Sequence, residues 1–347
     1  VTVFRSTPET LAACPGDGDP SCWPAHRIVA SSAAPDISLD KPWMAVGSSG
    51  AAGVVVWVAW TEFRTTGPGP NDEVSSIKAA RCDAALTACT APVVISGQAT
   101  DVQFADLTVG PDGRTYLSWI EERPAAVPGG VVFLIKLRIA PAGSTAFGPT
   151  TIVATETRPI GFDGFLHADD FRITTYPKNT VAMVNGRPRI FVSWDACRQI
   201  VAATTCEESK IRLRYSDDDG RTWTEAPVVS AGGDDYFPTI DSDPDTGKLA
   251  IAYYTNRADQ FHHRQQVELV TVDAATARVT RRQILSPLNE PDADPLFGGT
   301  FIGDYFEVSA AQGRALVHFN ANYRFQKFAG TGVPVPQQDN YLVVTQL

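Results

Sequence analysis

Hydrophobic and polar positions along this chain alternate in short runs, without the three-to-four-residue rhythm of amphipathic helices. Segments rich in Val, Ile, Thr, Tyr and Trp, such as Val54-Val55-Val56-Trp57-Val58-Ala59-Trp60 and Tyr116-Leu117-Ser118-Trp119, lie between turns rich in Gly, Pro and Asp. β-branched and aromatic side chains suit a pleated surface, and closely spaced turn residues cut it into many short antiparallel strands.

Five segments share one grammar: an Asp, a short strand, a turn, then a second strand ending in an aromatic and a polar residue. They run from Asp40 to Glu62, Asp106 to Glu121, Asp170 to Asp195, Asp235 to Asn256 and Asp304 to Asn320. The closing aromatics Trp60, Trp119, Trp194, Tyr254 and Phe319 recur roughly every 60–75 residues, which leaves room for four strands per repeat. Two more strand-like runs follow a typical hairpin, as in Lys210–Ser216 and Ala226–Ser230. Such a unit cannot bury both of its faces alone, and radial stacking of several units can. The expected fold is therefore all-β: a single β-propeller of four-stranded antiparallel blades, forming one domain over residues 1–347. A β-sandwich is the rival, but its strands do not repeat in blocks of four. The stretches Thr2–Ser6 and His26–Ala30 read as outer strands of a blade, and Tyr341–Gln346 has no partner nearby. The N- and C-terminal strands are thus expected to close the ring in one blade. Five inner hairpins can be counted.

With 25 Pro, 27 Gly and no long apolar run, the chain is expected to be soluble and large enough for a substantial core, and no membrane insertion is expected. Its 39 acidic residues against 29 basic give a net charge of −10, which disfavours phosphate backbones and anionic lipid, so no nucleic-acid partner is expected. A monomer is expected. Six cysteines fall in three close couples, Cys14/Cys22, Cys82/Cys89 and Cys197/Cys206, each spanning turn-rich or polar sequence. Local disulfides are favoured among the fifteen formal pairings, because no Cys-x-x-Cys or finger-like His spacing supports a metal. Secreted, periplasmic or cell-surface placement follows, with a leader removed or left out ahead of Val1.

Ser216-Asp217-Asp218-Asp219-Gly220-Arg221-Thr222-Trp223 fits the Asp-box pattern at Ser216, Asp218, Gly220, Thr222 and Trp223. A Gly with positive φ and Ser and Asp side chains bonding turn amides suit a hairpin turn, and the Trp caps the blade edge. This box, together with Arg212-Leu213-Arg214-Tyr215, the phrase Tyr236–Asp243 and Phe301-Ile302-Gly303-Asp304-Tyr305, resembles the bacterial secreted sialidase-like (BNR-repeat) propellers. A degenerate second box is suggested between Phe4 and Trp23. The resemblance implies six blades, so six are expected, with five possible from the hairpins counted, and it places Asp boxes on the rim opposite the catalytic mouth.

The starts of first strands and the ends of second strands share a face, so the repeated carboxylates are expected to converge on one acidic mouth. The candidate binding residues there are Asp40, Lys41, Glu62, Asp106, Glu121, Arg172, Asp195, Asp235 and Tyr236, with Asp170, Asp304 and Tyr305 as catalytic candidates. A sialidase of the resembling family needs three arginines, a Tyr/Glu pair and an Asp. Gripping a carboxylate takes bidentate guanidinium contacts, and only Arg172 and Arg257 are in place for that. The expected function is carbohydrate recognition in the mouth, with glycoside hydrolysis by paired carboxylates as the enzymatic form. The alternative is a non-catalytic module binding glycan, protein or calcium. No cofactor is required, and clustered carboxylates admit Ca²⁺.

Overall fold

A computed structural model of the chain describes residues 1–16, 19–69, 72–125, 130–159, 165–166, 171, 173, 176–202, 205–290, 302–327 and 332–347. The strands form a β-propeller of five blades, in each of which successive strands are hydrogen-bonded neighbours. The first blade consists of Ile37–Ser48, Val54–Thr65, Glu73–Asp83 and Val93–Val94, and the second of Val102–Val109, Thr115–Pro124, Gly130–Ala140 and Thr151–Pro159. The third comprises Lys178–Val184, Arg187–Cys197, Ser209–Ser216 and Thr224–Glu225, and the fourth Asp235–Asp243, Lys248–Thr255, Gln266–Asp273 and Arg278–Ile284. Three described strands make the fifth: Glu307–Ala311, Arg314–Gln326 and Val335–Gln346. The count of five agrees with the hairpins in the sequence and corrects the six implied by the resemblance.

In the first four blades the second strand is covered on both faces over most of its length, which is why it reads as a continuous apolar run, and in the fifth alternate residues are covered. Trp57, Trp60, Trp119, Trp194, Phe191, Tyr253 and Phe319 are all buried there. The chain divides into two compact units, Val1–Glu121 with Arg138–Thr150, and Glu122–Leu137 with Thr151–Leu347.

The chain ends do not share a blade among the described residues. Thr2–Arg5 pairs only with Ala25–Ile28, and Val335–Gln346 pairs with Arg314–Gln326. The cause lies in Val3, which packs with Val29 against Val56, Val58, Trp60 and Leu86 of the first blade, so apolar burial draws the N-terminal hairpin onto that face. All three local disulfides form, Cys14–Cys22, Cys82–Cys89 and Cys197–Cys206. No helix among the described residues is long and apolar enough to cross a membrane.

The turn after the third strand of the third blade is closed by its own side chains. Asp218 accepts hydrogen bonds from the Thr222 amide at 2.9 Å and the Thr222 hydroxyl at 2.6 Å, and Ser216 Oγ accepts from the Gly220 amide at 2.9 Å. Those bonds, led by Thr222, hold the Asp218 carboxyl down at about 2. Gly220 has φ 77°, and a Cβ there would stand 3.0 Å from the Thr151 hydroxyl, so only glycine fits without displacement.

Candidate site on the first strands

Three blades carry the same irregularity in the first strand. Pairing with the second strand slips between Asp40 and Trp43, between Gln103 and Asp106, and between Tyr236 and Thr239. A non-glycine residue with positive φ opens each slip: Lys41 at 53°, Phe104 at 60° and Phe237 at 50°. Such bulges re-aim the side chains that follow, and strain repeated at one position is a mark of functional geometry.

The bulges also reset the register. Trp43 pairs with Ala59, Asp106 with Ser118, Lys178 with Ser193, Thr239 with Ala252 and Glu307 with His318, in each case one residue before a buried aromatic at the second strand's end. One station of the five blades is therefore occupied by Trp43, Asp106, Lys178, Thr239 and Glu307. The aspartates Asp40, Asp106 and Asp235 do not hold a common station. Asp40 lies before the bulge, Asp106 after it, and Asp235 one residue earlier than Asp40's counterpart Tyr236. Likewise the fourth blade's aromatic at this station is Tyr253, not Tyr254.

In the second unit three of these residues meet. Lys178 Nζ is 3.7 Å from one Glu307 oxygen, and the Thr239 hydroxyl is 3.5 Å from the other. Lys178 also stands 5.8 Å from the centre of the Tyr176 ring. Its side chain is 5% exposed, whereas that of Glu307 is 45% exposed, although the Glu307 oxygen nearest Lys178 is buried. One turn of the pleat further along, Asp241 accepts from the Thr180 hydroxyl at 3.3 Å and the Ala310 amide at 2.8 Å, tying the first strands of three blades together. Burial pushes the Asp241 carboxyl up. Asp304 and the half-exposed Tyr305 precede Glu307, and Phe306 packs on Tyr254 with ring centres 4.9 Å apart.

The other candidates are placed as follows. Asp40 is exposed, 3.8 Å from the buried Lys41, whose ammonium lies 5.6 Å from the centre of the Phe104 ring. Asp106 and Glu121 are buried, and Glu62 pairs with Lys78 at 2.6 Å. Asp195 is buried against Arg158 at 2.9 Å, and burial raises its carboxyl despite that partner. Asp235 and Tyr236 are fully enclosed, Tyr236 packing between Phe171, Phe237 and Tyr254. Asp170 and Arg172 lie outside the described residues. Lys178, Thr239 and Glu307 were missed in the sequence because the repeat was aligned on aspartate, and the readable signal was the fixed distance to the second-strand aromatic. Among the described residues no group of three or more His, Cys, Asp or Glu side chains is arranged to hold a metal ion.

No protein-family model matches the sequence, and no curated protein matches it. The fold does have solved counterparts. A crystal structure of a protein of unknown function from Dyadobacter fermentans superimposes with a TM-score of 0.53 at 13% identity, over 83% of this chain and 77% of that one. A Hadza microbial sialidase gives 0.52 at 13% identity over 88% of this chain, which spans 56% of that protein. Likeness at this identity establishes the propeller fold.

Proposed function

We propose that this chain is an extracytoplasmic carbohydrate-recognising propeller that holds its ligand at the first strands of the third to fifth blades. The observation carrying this reading is the convergence of Lys178, Thr239 and the half-exposed Glu307 side chain from three separate blades. A carboxylate accepts from sugar hydroxyls, an ammonium donates to them and a threonine hydroxyl does either, so the trio matches a polyol. Tyr305, two residues before Glu307, is half-exposed and can offer a ring face to the same sugar. Lys178 is the cation that these three first strands supply among the described residues, and it is already engaged by Glu307. A neutral or amino sugar fits that balance better than an acidic one, which needs guanidinium partners. The Asp-box reading of the Ser216–Trp223 turn and the sialidase among the fold's counterparts support a glycan ligand. So do the three disulfides, which suit an oxidising compartment.

A glycan array probed with the wild type and Glu307→Gln tests the proposal. Binding to neutral or amino-sugar glycans is expected, weakened at least about tenfold in the variant, the cost of roughly one charge-assisted hydrogen bond. A silent array, or binding indifferent to Glu307, contradicts it. The position of Tyr305 and Asp304 just ahead of Glu307 favours hydrolysis as a second reading, with Asp304 as acid/base and Tyr305 as nucleophile. In that case Asp304→Asn abolishes turnover on a glycoside panel and leaves Tm unchanged.

A further inference from the structure

The first residue of the fourth blade, Asp235, is completely enclosed, and its carboxylate oxygens have only weak approaches from the Thr255 and Ser230 side chains, with no well-formed hydrogen bond. A buried ionised carboxylate needs a partner, and every nearby cation is already committed. Arg257 from the loop after the second strand grips Glu268 with two bonds of 2.8 and 2.7 Å. Tyr253 donates to Glu268 at 2.7 Å, and Arg282 of the outer strand lies 3.1 Å from the Tyr253 hydroxyl. Lys210 of the third blade pairs with Glu208 at 2.7 Å. Facing Asp235 are thus Lys210 from the third blade, Ser230 from the connection, Thr255 and Tyr253 from the second strand, Glu268 from the third, and Arg257. Asp234 precedes it. The carboxylates in this set use up the cations and leave Asp235 over.

The cations also have a second task. Lys210 Nζ donates to the Gly233 carbonyl at 3.1 Å, and Arg282 donates to the Val229 carbonyl. Both carbonyls belong to the connection 226–234 between the third and fourth blades. Ser230 and Asp234 pin the same connection through the Ile211 amide at 2.7 Å and the Ser209 amide at 2.9 Å.

We propose that Asp235 is a proton-operated latch on this connection: while it carries a proton the connection stays fastened, and release of the proton to solvent loosens it. An ionised Asp235 is a stronger acceptor than a peptide carbonyl, so it draws Lys210 away from Gly233. It also repels Glu268. Burial, the dominant influence, raises this carboxyl to about 7, with Thr255, Ser230 and Lys210 opposing and Glu268 adding to the rise. The latch therefore operates near neutrality and is independent of any sugar bound on the first strands.

Hydrogen exchange of the amides in 226–234, corrected for the intrinsic pH dependence of exchange, tests this directly. Protection in the wild type is expected to fall about tenfold between about pH 6 and about pH 8, and to stay high at both in Asp235→Asn, which cannot ionise. A carbon-13 titration of the Asp235 carboxyl in the wild type is independent of any variant's folding. A midpoint near neutrality is expected. Protection that does not change with pH, a variant that keeps the wild-type pH dependence, or a carboxyl already ionised at about pH 5 overturns the latch.

Discussion

At the scale of single residues, Asp235 also governs how stability depends on pH. Its folded value of about 7 lies above the ordinary 3.8, so between those values the folded state holds a proton that the unfolded state has lost. Stability therefore falls as pH rises from about 4 to about 7 and levels off above, by up to roughly 4 kcal/mol for a shift of about three units. Denaturant titrations at intervals across that range are expected to show this decline in the wild type and a flatter profile in Asp235→Asn, which becomes the more stable protein at alkaline pH. A wild-type profile that rises toward neutrality contradicts the assignment. The residue itself was visible in the sequence as one of the repeated aspartates. Its enclosure was not, because that depends on Lys210 of the third blade, which only the fold brings to it. Nor could the strained backbone of Lys41, Phe104 and Phe237 be read from residue type, since none is a residue that favours positive φ.

At the scale of elements, the strands and their grouping were legible and their register was not. Alternation and turn residues define strands well, but a bulge inserts a residue that leaves no trace in the apolar pattern. Aligning on aspartate therefore joined residues on opposite sides of each bulge, whereas aligning on Trp60, Trp119, Trp194, Tyr253 and Phe319 brings Lys178, Thr239 and Glu307 into line. The turns repeat more than the sequence suggests. Asp83 accepts from the Thr87 amide at 2.9 Å and hydroxyl at 2.5 Å in the first blade, and Asp273 takes the amide and hydroxyl of Thr276 in the fourth, so the clasp of Asp218 and Thr222 survives without its Ser, Gly and Trp. Between blades, Arg158 of the second and Asp195 of the third form a buried pair. Arg158→Met strands a raised carboxyl and is expected to cost about 3 kcal/mol in urea unfolding, less at acidic pH where Asp195 takes up a proton. A loss under about 0.5 kcal/mol would show that the other contacts of Asp195 carry the junction.

For the whole molecule, the propeller follows from repetition: units of four strands bury their faces only against one another. The inner hairpins gave a count of five that did not decide the number of blades, and the resemblance to sialidases pointed one too high because likeness of turns and strand phrases carries no count. Closure by the two chain ends was not legible, since Val3 has a choice of apolar faces and the sequence does not rank them. Function is less determined by the fold than by the station where the first strands of three blades meet. A crystal structure with a bound oligosaccharide taken from the strongest array signal examines that station most directly. The sugar is expected to contact the Glu307 carboxylate and the Thr239 hydroxyl, with Tyr305 against its ring. A sugar seated elsewhere on the surface, with Lys178 and Glu307 still paired and untouched, would contradict the account.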